Sequence, residues 1–150
     1  MNYHFKTVWH FESPIDEVWD IIFASGEWPL WWKSVKKANI IKIRKEGYGS
    51  KIRYQFVGIL PYRLNFEMSV TDMKRNTYIE GHVTGDLEGK GRWEFEREGR
   101  GSKVTYYWDV ELHKKMLQHI SPLVNPIFVW NHDYVMENGK KGLEKLLAKQ

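Results

Sequence analysis

Six histidines are the first groups to weigh for acid–base or metal chemistry, because imidazole titrates near neutral pH and binds metals readily. Their spacing builds no site. His4 and His10 take the polar phase of the alternating segment Tyr3 to Phe11. His113 and His119 flank Lys114-Lys115 at an interval that matches neither an i, i+4 helical metal pair nor a finger pattern. Glu80 and His82 share one face of a strand-like segment, where a carboxylate could hold an imidazole tautomer for general-base work. Ile79 and Val83 compete for the inside of that segment, so a solvent-facing pair is the expectation. His132 stands beside Asn131 at the edge of an inward helix face, either as a structural hydrogen-bonding group or at a cavity mouth. Gly47 and Gly49, and likewise Gly85, Gly89 and Gly91, superficially suggest phosphate loops, but neither set runs into a helix N-terminus or a Gly-Lys-Ser/Thr ending. Turn and hairpin chemistry accounts for them. With no serine nucleophile elbow, HExxH pair or dinucleotide fingerprint, no catalytic residue, metal ligand or cofactor is assigned.

The elements that would position any of these groups follow from periodicity. Pro122 to Leu147 reads as one long amphipathic helix, reaching about Ala148, with Pro126 expected to mark a kink or the true start. Val124, Ile127, Phe128, Val135, Gly139, Gly142 and Leu146 form its apolar stripe, opposite Asp133, Glu137, Lys140 and Glu144. Asn131 and Asn138 intrude on that stripe, and an amide buried without a partner costs ~1–3 kcal/mol. Inward glycines weaken a helix by roughly 1 kcal/mol each, so something bulky, or something needing space, is expected beneath Gly139 and Gly142.

Upstream, Tyr3 to Phe11 is a strand, and Ser13-Pro14 opens a helix with Ser13 as its cap and Asp16 answering it. Ile15, Val18, Trp19 and Ile22 continue that helix, Gly26 ends it, and Trp28 to Trp32 forms a second short helix or turn. Six further strands follow from Val35 to His113, with turns at Gly47-Tyr48-Gly49-Ser50, Leu60-Pro61, Lys74-Arg75-Asn76, Gly85-Asp86 and Glu98-Gly99-Arg100-Gly101. Leu64, Phe66, Met68, Val70 and Val104, Tyr106, Trp108, Val110, Leu112 alternate with polar residues, the habit of an antiparallel sheet with one wet face. Helices segregated from strands make the class α+β: a seven-stranded curved antiparallel sheet wrapped around a long C-terminal helix, with two short helices between strands one and two.

Composition narrows the function classes. The 150 residues fit a single domain, 1–150. The absence of cysteine excludes disulfides and Cys-based zinc sites and is compatible with a reducing cytoplasm, and Met1 to Phe5 opens no signal-like segment, so a cytoplasmic protein is the expectation. Asn131, His132, Asp133 and Glu137 interrupt the last helix too early for a membrane span. The net charge is +4, with the densest basic run at Lys33, Lys36, Lys37, Lys42, Arg44 and Lys45, but acidic residues are scattered elsewhere; a solvated strand face, not nucleic-acid binding, is expected. Eight tryptophans, eight tyrosines and seven phenylalanines must be buried, in a solid core or around a pocket.

This order of elements, with Ser13-Pro14-Ile15-Asp16-Glu17-Val18-Trp19, Trp28-Pro29 through Trp32, Val35 and the Gly47-Tyr48-Gly49 turn, resembles the START-related, birch-pollen-allergen-like (SRPBCC) superfamily with its helix-grip fold. Gly85 to Trp93, Trp130 to Met136, Gly139 and Gly142-Leu143 are similar to its polyketide cyclase/dehydrase-like bacterial members. The resemblance covers nearly the whole chain and transfers no catalytic set. It implies an apolar cavity between sheet and final helix, hence a binding protein that carries or sequesters a small hydrophobic molecule such as a lipid, isoprenoid or polycyclic aromatic. The expected wall is Tyr54, Phe56, Leu64, Phe66, Met68, Trp93, Phe95, Tyr106 and Trp108 from the sheet, with Val124, Phe128, Asn131 and Val135 from the helix. Two other classes stand beside this one. A cyclase, dehydratase or aromatase could use Glu80, His82, Tyr106 or Asn131 in the same cavity. An interaction module could present the basic strand or the Trp28 to Trp32 edge to a macromolecule. Transient membrane contact is left open.

Overall fold

The computed structural model describes residues 2–43, 49–59, 63–113 and 121–149, with the side chains of 121–125 excepted. Seven strands, β1 (Asn2–Phe11), β2 (Val35–Lys42), β3 (Lys51–Phe56), β4 (Leu64–Lys74), β5 (Tyr78–Gly85), β6 (Leu87–Glu98) and β7 (Gly101–Leu112), form one sheet of order β1-β7-β6-β5-β4-β3-β2. Every pairing is antiparallel. The helices are α1 (Ile15–Phe23), α2 (Ser25–Leu30, a 3₁₀ helix) and α3 (Ser121–Ala148).

This topology explains where the helices lie. β1 and β2 are sequence neighbours at opposite edges of the sheet, so the chain between them must cross the concave side, and α1–α2 is that crossing. The alternation of β1 buries Tyr3, Trp9 and Phe11 and leaves His4 and His10 outside, where they meet Asp109 and Glu98 at 2.8 Å. On α1 the expected residues Ile15, Val18, Trp19 and Ile22 are buried.

Several local expectations need correction. Ser13 makes no side-chain cap; Pro14 is the cap residue, and its carbonyl accepts from the Glu17 and Val18 amides. Asp16 accepts instead from the Asn76 amide at 2.6 Å, which ties α1 to the β4–β5 turn. α1 ends at Phe23 rather than at Gly26. Helix α3 begins at Ser121 and runs through Pro126, so the proline is not its start. Gly89 and Gly91 are mid-strand in β6 and not in a turn. The Gly47-Tyr48 and Leu60-Pro61 turns and His119 lie, in whole or part, outside the described residues.

The concave side is filled largely by rings. Trp9 contacts Trp32 and Trp93 at 5.8 and 5.5 Å between centroids, Trp28 contacts Trp32 at 5.1 Å, and Trp93 stacks on Tyr106 at 3.9 Å. Such pairs add ~0.5–1.5 kcal/mol each beyond the area they bury. Most of the aromatic load is thus core. Trp28, Trp31 and Trp32 are all buried, and Leu30 is the one residue of that segment's apolar set to face out, at 82% exposure. The Trp28 to Trp32 segment therefore shows solvent one large apolar side chain, Leu30, and keeps its three indoles inside.

α3 is held by shape as much as by apolar area. Phe128, Asn131, Val135, Met136, Leu143 and Leu147 are buried, whereas Ile127 is 40% exposed, so the inward stripe is rotated from the one read in the sequence. Trp32 donates its indole N–H to the Val135 carbonyl at 2.9 Å, and a Cβ on Gly139 would lie 2.6 Å from the same indole. A Cβ on Gly142 would collide with the Trp31 carbonyl. The bulky object beneath the two glycines is the Trp31-Trp32 turn.

Candidate ligand cavity

Among the described residues the space directly beneath α3 is small. A space of about 60 Å³ is lined by Phe56, Leu64, Phe66, Met68, Tyr106, Trp108, Phe128, Asn131 and Val135 among others, enough for a few waters. These are nine of the thirteen wall residues expected from the sequence, and the structure brings them together around a nearly closed gap.

The larger hollow lies on the other side of Trp28, between α1–α2 and strands β2 to β6. It encloses about 740 Å³, within the ~300–1,000 Å³ of small-molecule pockets. Ile52, Tyr54, Met68, Val70, Ile79 and Trp93 line it from the sheet, and Ile22 and Phe23 from α1. Of the expected wall only Tyr54, Met68 and Trp93 belong here. Phe95 lines neither space and packs against Trp19 at 4.9 Å. The side chain of Val124 lies outside the described residues. Among the described residues the larger volume lies beneath the α1–α2 crossing, and α3, seated closely on the Trp31-Trp32 turn at Gly139 and Gly142, leaves the smaller one.

Two glycines help to make that volume. Gly81 and Gly91 pair across β5 and β6 in the concave phase, so the sheet floor lacks two side chains there. Their neighbours are close: a Cβ on Gly91 would lie 2.9 Å from the Tyr106 hydroxyl, and one on Gly81 3.1 Å from the Ser69 carbonyl. An inward-phase glycine pair was the sequence signal for this site, obscured by reading Gly91 with the turn glycines around it.

Polar groups in the cavity are few. The Tyr54 hydroxyl bonds the Ser25 side chain, and burial pushes its ionisation well above the ordinary tyrosine range. Tyr54 is stacked 5.2 Å from Trp28, whose indole N–H is fixed to the Ile22 carbonyl at 3.0 Å. Tyr54 and Trp28 thus form a rigid partition between the two spaces. Ser50 and Ser69 add two further hydroxyls, while Glu27 and Lys42 are exposed at the rim with Ile40 and Ile43.

The groups weighed for acid–base work are elsewhere or otherwise engaged. Gly81 and Val83 are buried, so Glu80 and His82 point to the convex face. There Glu80 meets Lys90 at 2.6 Å and Arg92 at 3.3 Å, and Arg92 continues to Glu94 at 2.8 Å. The pair is part of a surface charge ladder. Asn131 accepts the Ile59 backbone N–H at 2.7 Å, and Asn138 donates to the Ser34 hydroxyl at 2.6 Å while accepting its backbone N–H. The two amides bolt α3 to the loops after β3 and before β2. His132 stacks flat on Phe5 at 3.8 Å, and burial lowers its pKa to about 4 despite the nearby Asp133 carboxylate. Tyr106 is sandwiched against Trp93 with its hydroxyl beside Gly91. Among the described residues no cluster of metal-ligating side chains occurs, and no helix is long and apolar enough to cross a membrane.

A curved antiparallel sheet closed by two short helices and one long C-terminal helix can be compared with known folds. A START superfamily protein from Mycobacterium smegmatis superposes with a TM-score of 0.78 over 97% of both chains, at 16% identity. The chain has the helix-grip fold. Ara h 8.0201 matches with a TM-score of 0.72 over the full length of both chains at 13% identity. The di-domain ARO/CYC BexL from the BE-7585A biosynthetic pathway matches with a TM-score of 0.70 over 94% of this chain and 50% of its own, at 15% identity. No protein-family model and no curated protein matches the sequence. At these identities the helix-grip likeness is one of architecture.

Proposed function

We propose that this helix-grip protein binds a small hydrophobic molecule, as carrier or sequestering protein, in the hollow between α1–α2 and the sheet. The observation that carries the reading is that hollow itself: about 740 Å³, walled chiefly by aliphatic and aromatic side chains, with the Tyr54 hydroxyl and Ser25 among its few polar groups. A wall of this kind favours a largely apolar ligand with one hydrogen-bonding function, the usual pattern of such pockets. A rigid aromatic or isoprenoid body fits the same description. Glu80 and Asn131 are committed to other bonds and His82 is exposed on the convex face, and the binding reading needs none of them.

The test is a fluorescence titration with the neutral probe N-phenylnaphthylamine. Ile79 faces the large hollow and Phe128 the small one. Ile79→Trp should weaken probe binding by crowding the hollow, and Phe128→Trp should leave it unchanged. The reverse pattern would return the ligand to the space beneath α3.

A further inference from the structure

The rim of this hollow is also an edge of the sheet. β2 ends the strand order and pairs on one side only, with β3. Its register shifts twice, between Val35 and Lys37 and between Ile40 and Lys42. Such irregularities twist an edge away from further strand pairing. Three large aliphatic side chains are nonetheless left in solvent along it: Ile40, Ile41 and Ile43, at 55%, 46% and 73% exposure. Ile40 and Ile43 also line the hollow, so the exposed apolar rim is continuous with the mouth. Around the isoleucines stand Lys33, Lys36, Lys37 and Lys42, all exposed, and none of the four forms an ion pair among the described residues. No acidic residue occurs from Lys33 to Ile43.

Lysines alone on an edge strand serve to prevent edge-to-edge pairing. That role gives no reason for three exposed isoleucines between them. Aliphatic side chains that can enter an acyl region, ringed by unpaired cations, are complementary to an anionic bilayer surface. We infer that the β2 edge docks on anionic membranes, setting the mouth of the hollow against the lipid phase so that an apolar ligand passes between bilayer and protein without crossing water. The inference rests on the proposed ligand cavity for its purpose. The docking itself is tested separately from it.

The experiment is co-sedimentation of the whole protein with vesicles of phosphatidylcholine alone and of an equal mixture of phosphatidylcholine and phosphatidylglycerol, at low and high salt. N-phenylnaphthylamine binding is measured in parallel, without vesicles. Lys36, Lys37 and Ile41 do not line the hollow. Each lysine near an anionic leaflet strengthens partitioning about fivefold, so Lys36→Gln with Lys37→Gln should weaken binding to the mixed vesicles by about 25-fold. Ile41→Ser should weaken it further, and high salt should release the wild-type protein. All these variants should bind the probe as the wild type does. Absence of binding to mixed vesicles, equal binding to pure phosphatidylcholine, or indifference to the lysine substitutions would overturn the docking inference, as would self-association through β2 that Ile41→Ser abolishes. Failure of probe binding in the wild type would overturn the cavity reading instead.

Discussion

Asn131 offers a sharp test of how α3 is held. Its carboxamide oxygen accepts the part-buried Ile59 N–H at 2.7 Å, and the space it needs exists because residue 58 has no side chain: a Cβ on Gly58 would run into the Asn131 carboxamide. Asn131→Ala removes the acceptor and strands the amide, which should cost about 1–3 kcal/mol. Gly58→Ala leaves the bond's partners in place but forces them apart, an overpacking defect of about 1–3 kcal/mol. In the double variant the colliding group is gone and only Val135 Cγ2, at 3.1 Å from the new Cβ, must give way. The second substitution should then cost under about 1 kcal/mol, giving a coupling of about 1–2 kcal/mol between the two sites. Urea unfolding of the four proteins measures this directly. Hydrogen exchange at the Ile59 amide should lose protection in Asn131→Ala. Additivity within ~0.5 kcal/mol, with unchanged exchange at Ile59, would refute the latch.

Three further outcomes follow from the packing. Gly139→Ala gains roughly 1 kcal/mol of helix propensity yet meets the Trp32 indole at 2.6 Å, so its melting temperature should fall, and Gly142→Ala, which meets backbone, should fall further; a rise in either would contradict the tight seat of α3 on Trp31-Trp32. His132 has a folded pKa of about 4, below its usual 6.5, so the native state favours the neutral ring. Its stabilising contribution, on the order of 3 kcal/mol, is complete above pH 6.5 and is lost as pH falls from there toward 4. His132→Phe keeps the stack on Phe5 and should flatten that stretch of the stability profile; parallel profiles for the two proteins would show that His132 carries none of the slope.

The fold was legible because its signals are long and regular. Period-two alternation in β1, β4 and β7, the Ser13-Pro14 helix opening and the 26-residue helical pattern each state a local preference that the tertiary structure keeps. The inward glycines of α3 were legible too, as a demand for a bulky neighbour, although only the fold names it as Trp31-Trp32. What escaped was a matter of depth. Periodicity assigns Tyr54, Phe66 and Trp108 to the concave face, but whether rings on that face meet or leave a gap depends on how closely α3 approaches. That distance is set by Gly139, Gly142 and the two asparagine bolts together. Residues Ile22 to Glu27 join the cavity only because the β1–β2 crossing spans the sheet, a relation between distant strands that no local pattern carries. Ile127 shows the limit on the helix: a rotation of the inward stripe by a fraction of a turn suffices to turn a core position into an exposed one.

The central claim is that an apolar molecule occupies the hollow beneath α1–α2. Native mass spectrometry of the protein after incubation with a total lipid extract tests it most directly. One apolar adduct per chain is expected in the wild type and in Phe128→Trp, and a smaller adduct fraction in Ile79→Trp. An adduct fraction unchanged by Ile79→Trp, or a wild-type protein that stays bare, would contradict the account.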